Sequence, residues 1–289
     1  MLYARCVNLQ MLKYKDDWRS LAVMTSVTAL CVGQWIWGVQ AALVVLAIGL
    51  SLPVAVLAHN HHHAPMWKSR ALNTLTGYWL TFFYGGPAIA WLAIHNRSHH
   101  AHQNRPTLDV TSTHNVGDRN DLVGAILYVP RCLGGMTRQA GRALATLHRR
   151  NPRHFWFHVS HIVLLYGTIA LLLWIDWRKA LWTVVLPQQI AINAIANFNF
   201  FQHADTVPGA TYDGSRNFTG AVFNAYLFNA GLHTVHHQQP KLHWSLAAAE
   251  HAKIAARIDP RLNEPSFWRY FARVVGGTAR RRTLTAQRS

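Results

Sequence analysis

Apolar positions gather along the chain into long blocks rather than recurring at a short period. Four blocks run over residues 20–36, 38–58, 155–175 and 180–201. Each approaches the ~20 residues that a membrane-spanning helix needs. The first two meet at Trp37 and Gly38, and the second two flank Asp176-Trp177-Arg178-Lys179, so two helical hairpins are predicted. A core helix of a soluble protein can be as apolar, but four such blocks in pairs around short turns predict spans. Residues 71–94 also have enough apolar length, yet Gly85-Gly86-Pro87 splits them into two helices too short to cross. They are read as an interfacial or re-entrant element. Residues 218–232 are apolar but short, and are read as interfacial or buried. No internal repeat is visible. Residues 1–277 are therefore expected to form one all-α integral-membrane domain, followed by a disordered basic tail over 278–289.

Composition supports this reading. Hydrophobic residues make up 51% of the 289 positions and charged residues only 13%, about half the share usual for soluble domains. A disordered or collagen-like chain is excluded. The net charge of +17 fits nucleic acid, but the apolar blocks favour an anionic membrane surface and no nucleic acid partner. Cys6, Cys31 and Cys132 form no C-x-x-C pair, so neither a disulfide framework nor a thiolate zinc site is indicated. The first 19 residues lack a continuous apolar core, so no cleavable signal is expected. Lys13, Lys15 and Arg19, the arginines between the hairpins and Arg280-Arg281-Arg282 put both termini and the middle segment in the cytoplasm by the positive-inside rule.

Histidine is the outlier, with 19 copies, and it is clustered. His59-Asn60-His61-His62-His63 ends the second span. His95-Asn96-Arg97-Ser98-His99-His100 ends the 71–94 element. His233-Thr234-Val235-His236-His237 follows the 218–232 stretch, and His203 follows the fourth span. Residues three and four apart share a helix face, so each cluster can aim two or three imidazoles at one point. All lie at cytoplasmic ends under the predicted topology, provided 71–94 does not cross. Imidazole suits Zn, Cu, Fe and Ni. One H-x-x-x-H is weak evidence, whereas three clusters and His203 on one face are strong. His61, His62, His102, His114, His148, His154, His158, His161, His243 and His251 are left to structural or interfacial roles.

The chain has only two glutamates, Glu250 and Glu264, and neither begins a Glu-x-x-His pair, which excludes a ferritin-like carboxylate site. Asp109 and Asp205 lie near the clusters in sequence and are candidates to orient imidazoles; ordinary loop or capping roles are equally open to them. Asn199, one turn before His203, is a candidate to hold a water on a metal. Gln189, Asn193 and Asn197 recur every four residues and are expected to face the protein interior and to pack through hydrogen bonds.

The ordered boxes His59–His63, His95–His100 and His233–His237, with Asn199–His203, resemble the membrane fatty acid desaturase and hydroxylase superfamily over roughly residues 20–255. The resemblance implies two iron ions bound by His59, His63, His95, His99, His100, His203, His233, His236 and His237, with Asn199 holding a water. It also implies four transmembrane helices under a cytoplasmic helical cap that carries the boxes. Asn60 departs from the aspartate common after the first histidine. By family, the reaction uses O2 and external electrons to remove hydrogen from an unactivated C–H bond. No fused haem, ferredoxin or flavin motif occurs, so a ferredoxin, rubredoxin or cytochrome b5 type of donor is expected. An acyl chain on a lipid, CoA or acyl carrier protein is the expected substrate, in an apolar tunnel that Trp67, Tyr78, Trp79, Tyr84 and Trp91 are candidates to line. Arg131, Arg138, Arg142, Arg149 and Arg150 read as a solvated face near anionic lipid, with an acidic carrier, a CoA phosphate or a lipid headgroup as alternatives. Acyl desaturation is the leading reading. A hydroxylase or ketolase on a fatty acyl, alkane, carotenoid or lipid A chain is the alternative, and a non-enzymatic His-rich metal-binding membrane protein is third.

Overall fold

The computed structural model describes residues 11–279, and most of the expected basic tail lies outside the described residues. The fold is mostly helical. The first two apolar blocks form α1 (Trp18–Trp37) and α2 (Ala41–His63). Gly38, at φ +97°, and extended Gln40 reverse the chain between them. The helix of α2 continues past its apolar block through the whole first histidine box, which places His59 and His63 one turn apart at its end.

The 71–94 stretch breaks where expected. Helix α3 (Arg70–Tyr84) starts on Ser69, whose side chain accepts from the Leu72 N–H, and stops at left-handed Gly85. A Cβ on Gly85 would lie 2.6 Å from Gln188 Cβ, so both the φ of +83° and the contact require glycine. After Pro87 the chain resumes as α4 (Ala88–Ala90), which runs into a π-helical stretch, Trp91–His100.

The middle segment holds a long helix, α5 (Leu122–Arg150), capped by Asp121. It buries Ala125, Tyr128, Cys132, Ala143 and Leu147 along one face. Arg131, Arg138, Arg142, Arg149 and Arg150 are exposed on the other.

The second pair of apolar blocks departs from expectation. No four-residue loop separates them. Helix α6 (Pro152–Ala180) carries a single non-helical residue, Asp176, and then continues through π-helical Leu181–Val185 into α7 (Leu186–His203). The Asp176 carboxylate accepts from the Lys179 N–H, so the turn needs only one residue. Among the described residues, three helical stretches are long and apolar enough to cross a membrane: Lys15–Trp37, Ala41–His63 and Pro152–His203. The last, of 52 residues, would be about 78 Å long if straight, more than twice a hydrocarbon core of about 30 Å. Asp176 divides it near its middle.

Contacts fix which ends lie together. Trp35 donates to Thr183 at 2.9 Å, and Lys179 Nζ donates to the Trp35 carbonyl at 2.9 Å. The tip of the α1–α2 pair thus meets the Asp176 bend. At the opposite end, buried Asp17 accepts from His243 and Trp244, and Arg19 stacks over Phe228 and Trp244. Helix α2 packs along α7 and α3, and Val54–Ala58 form its buried core with Leu80, Tyr84 and Ala191.

The 218–232 stretch is not one element. It divides into strand β1 (Asn217–Phe218), helix α8 (Ala221–Tyr226) and a turn in which Phe228 and Asn229 take φ near +50° and +57°. Asn224 breaks the apolar run by donating to the Phe218 carbonyl. Then come α9 (His233–Gln238), α10 (Ala247–Ile254), strand β2 (Asn263–Glu264), which pairs in parallel with β1, and α11 (Phe267–Val275).

The Gln189 ladder also differs. Gln189 and Asn193 are exposed rather than turned inward. Four-residue spacing lets each amide donate one turn back, Asn193 to the Gln189 carbonyl and Asn197 to the Asn193 carbonyl. Gln188, not Gln189, turns inward at this level of the helix and donates to the Phe82 carbonyl.

Candidate metal centre

The nine boxed histidines, including His203, come together as two adjoining groups. His59, His63, His95, His100 and His236 form one; His99, His203, His233 and His237 form the other. Within each group the ligand atoms lie within 4.8 Å of one another. The rings of His100 and His237 are 4.9 Å apart, so the groups share a border.

Only the first box sends its residues to one point. The second and third boxes each serve both groups, which single-point aiming did not anticipate. The backbone explains the split. At about 100° per residue, an α-helix would turn His100 roughly 140° away from His95. The π-helical stretch closes its hydrogen bonds one residue later and brings five-apart residues together. His95 and His100 Nε2 are 3.1 Å apart, while His99 faces the other group. On α9, His233 and His237 are four apart and meet, while His236 lies between them on the first group's side.

The nitrogen geometry suits a metal better than hydrogen bonding. The Nε2 atoms of His203, His233 and His237 form a triangle with edges of 3.0, 3.1 and 3.1 Å. A neutral imidazole nitrogen either donates or accepts. In any triangle two corners therefore share a role, and one edge is unfavourable. His203 also donates Nδ1–H to the Gly214 carbonyl, which leaves its Nε2 as a lone pair. In the five-histidine group the Nε2 atoms run His63, His95, His100, His236, His59 at separations of 2.9–3.1 Å. Metal–imidazole bonds of about 2.1 Å meeting near right angles set neighbouring nitrogens about 3.0 Å apart.

His99 gives the clearest single sign. Its Nδ1 lies 2.9 Å from the Asp109 carboxylate, and its buried Nε2 has no hydrogen-bond partner. Asp109 is itself fully engaged, accepting from the Asn104 and Thr111 N–H groups and the Thr111 hydroxyl as well. Burial opposes its charge, but His99 and the Thr111 hydrogen bonds hold its carboxyl below the usual range. Asp109 thus fixes the ring and leaves the lone pair aimed into the group. Burial and neighbouring imidazoles hold His95, His233, His236 and His237 well below the ordinary value, and lower His100 to about 2. These rings are neutral and ready to ligate at pH 7.

Asp205 is placed elsewhere. It accepts from Asn120, whose amide oxygen accepts from Tyr270. Asn199 donates to the Tyr128 hydroxyl at 2.8 Å. His61 meets the Asn73 carbonyl, His62 the Asn96 amide, His161 Thr81 and His243 Asp17, all outside the two groups.

A cavity of about 460 Å³ opens onto both groups. Its walls include His59, His95 and His236 from one group, and His99 and His233 from the other. The rest is mainly apolar: Tyr84 and Trp91, Cys132 and Met136 of α5, Ile192 and Ile195 of α7, and Phe228. Of the five aromatics expected there, only Tyr84 and Trp91 take part. Trp67 bonds Thr76, Tyr78 stacks on His161 and Trp79 bonds Thr28. Tyr128 is a wall residue that sequence reading missed. It was hidden in a segment read for its arginines, although the 3–4 spacing of Ala125, Tyr128 and Cys132 marks a buried face.

No curated protein matches the chain, and no solved structure does either. The family model described as fatty acid desaturase matches residues 18–271, which takes in every element that carries a boxed histidine, and the chain belongs to the fatty acid desaturase family.

Proposed function

We propose that the protein is a membrane-bound, O2-dependent di-iron oxidoreductase that desaturates a fatty acyl chain. The observation that carries this is one apolar cavity walled by imidazoles from both histidine groups. The donor set fits the group: nine imidazoles, split five and four, with His99 Nε2 otherwise unpartnered. The irons would supply the activation of O2 that an unactivated C–H bond requires.

The chain's own residues do the remainder. His59, His63, His95, His100 and His236 hold one site, and His99, His203, His233 and His237 the other. Asp109 keeps the His99 proton on Nδ1, and the Gly214 carbonyl does the same for His203. Trp91, Ile195 and Met136 exclude water and hold an alkyl chain against the imidazoles. Tyr128 and Asn199 place a hydroxyl and an amide on the same wall, and Asn199 is our candidate to hold a metal-bound water. Burial pushes the Tyr128 hydroxyl well above its ordinary value, so it stays protonated.

Asp176 turns the third apolar stretch into a hairpin under this reading, giving four spans. The histidine end, the arginine-rich face of α5 and both termini then lie on the cytoplasmic side. A separate ferredoxin, rubredoxin or cytochrome b5 type of protein delivers electrons there. Mass spectrometry of acyl lipids and carriers from cells expressing the wild type or His236→Ala tests the reaction. A wild-type product lighter by two hydrogens is expected. A product heavier by one oxygen would make the protein a hydroxylase.

A further inference from the structure

A second apolar space lies beside the metal cavity. It is a groove of about 790 Å³ between α2, α7, α8 and α11. Ile48 and Leu52 on its wall precede His59 by eleven and seven residues, roughly 10–16 Å along α2. Its mouth thus lies alongside a candidate span. The rim is apolar and open: Val222 is 85% exposed and Trp268 69%.

Two residues tie this groove to its neighbours. Phe198 lines both the groove and the metal cavity. It is buried and packs against Phe218, Phe223 and Phe267. Next to it, Leu227 lines the groove and Phe228 lines the metal cavity. Phe228 and Asn229 are both left-handed, a costly state for a bulky side chain, so this wall is strained. At the other end, Pro265 is shared with a polar cavity of about 330 Å³.

That polar cavity is built around a buried cation. Arg216 is 5% exposed. Its Nη1 donates to the Phe201 and Ala204 carbonyls and the Tyr270 hydroxyl, all neutral, and its buried Nε has no partner. Arg261 and Arg273 also line the cavity, against the carboxylates of Asp205 and Glu264. Arg273 pairs with Glu264, and Arg261 with Asp259. An incoming phosphate would meet the Arg216 guanidinium, whose Nε is unpartnered, in the same cavity as Arg261 and Arg273.

We propose that a glycerophospholipid occupies this path. Its phosphate sits in the Arg216 cavity, its acyl chain lies in the groove, and the chain passes Phe198 into the metal cavity. This rests on the acyl-chain reading above and selects membrane lipid over CoA or a carrier protein. A soluble carrier cannot present a chain from bilayer depth, whereas a membrane lipid is already there.

The test uses the full chain in nanodiscs. Three photoreactive probes carry the same diazirine acyl chain: a phosphatidylglycerol, an acyl-CoA and the free fatty acid. The phospholipid is expected to label peptides of α8 and α11 severalfold more than the other two. Ala194→Trp, which fills the groove from α7, should remove that labelling. Arg216→Gln should lower it to the level of the free acid; Arg273→Gln, on a half-exposed side chain, gives the same reading should Arg216→Gln misfold. The phospholipid should also label Met136 in the metal cavity of the wild type; Phe198→Ala should raise that labelling, and Phe198→Trp should abolish it. Equal labelling by all three probes, or labelling unchanged by Ala194→Trp, overturns the proposal. The readout is occupancy, not turnover. Intact groove labelling in a protein that leaves cellular acyl chains unaltered would support the lipid site and overturn the reaction instead.

Discussion

At the scale of single residues, spacing made the histidine clusters legible, whereas proximity in sequence left the roles of the carboxylates open. The structure gathers the same nine imidazoles that the boxes and His203 single out. Asp109 and Asp205 looked alike in sequence. Asp109 folds back onto the His99 imidazole, because a turn through Asn104 and Thr111 wraps its carboxylate. Asp109→Asn should keep the fold and weaken metal binding by about 10–100-fold, as loss of a ring-orienting partner does. Metal titration of the purified variant checks this, and unchanged affinity would remove Asp109 from the site.

The depressed imidazoles also make a pH prediction. His95, His100, His233, His236 and His237 bind protons less readily folded than unfolded. As pH falls below about 6.5, the unfolded chain takes up protons that the folded chain refuses, so stability falls. Above that pH both states are neutral and the effect vanishes. The loss is about 1.4 kcal/mol per such histidine for each pH unit between the unfolded and folded values. Metal-free protein should therefore melt at lower temperature at pH 5.5 than at pH 7.5. A flat profile would contradict the buried neutral cluster.

At the scale of elements, breaks were easier to read than what lies between them. Gly85-Gly86-Pro87 stops α3 as expected, because proline and a left-handed glycine act locally. Gly85→Ala should cost at least about 1–2 kcal/mol for the left-handed backbone alone, before the contact with Gln188. Gly167→Ala, inside α6 with nothing near its missing Cβ, should leave stability level or raise it. Melting temperatures of the two variants in detergent would decide. Equal losses would argue that the break is not built on Gly85. Less was legible where partners are distant in sequence. The single-residue turn at Asp176 depends on Trp35 meeting Thr183 and Lys179 across the bundle. The division of the second box depends on a π-helical stretch, which residue periodicity does not mark.

At the scale of the whole molecule, the apolar blocks and histidine boxes pointed to helices long and apolar enough to span a membrane and to a gathered set of imidazoles. They did not give the assignment of each imidazole to a group, the α5 wall or the groove, since each is made by helices far apart in the chain. Elemental analysis of purified protein tests the central claim most directly, namely two metals held separately by five and four imidazoles. Wild-type protein should carry two iron ions per chain. His237→Ala should lose the ion of the four-histidine group and keep the other, and His236→Ala should do the reverse or weaken only its own group. A single ion per chain, zinc in place of iron, or a full complement in both variants would contradict the account.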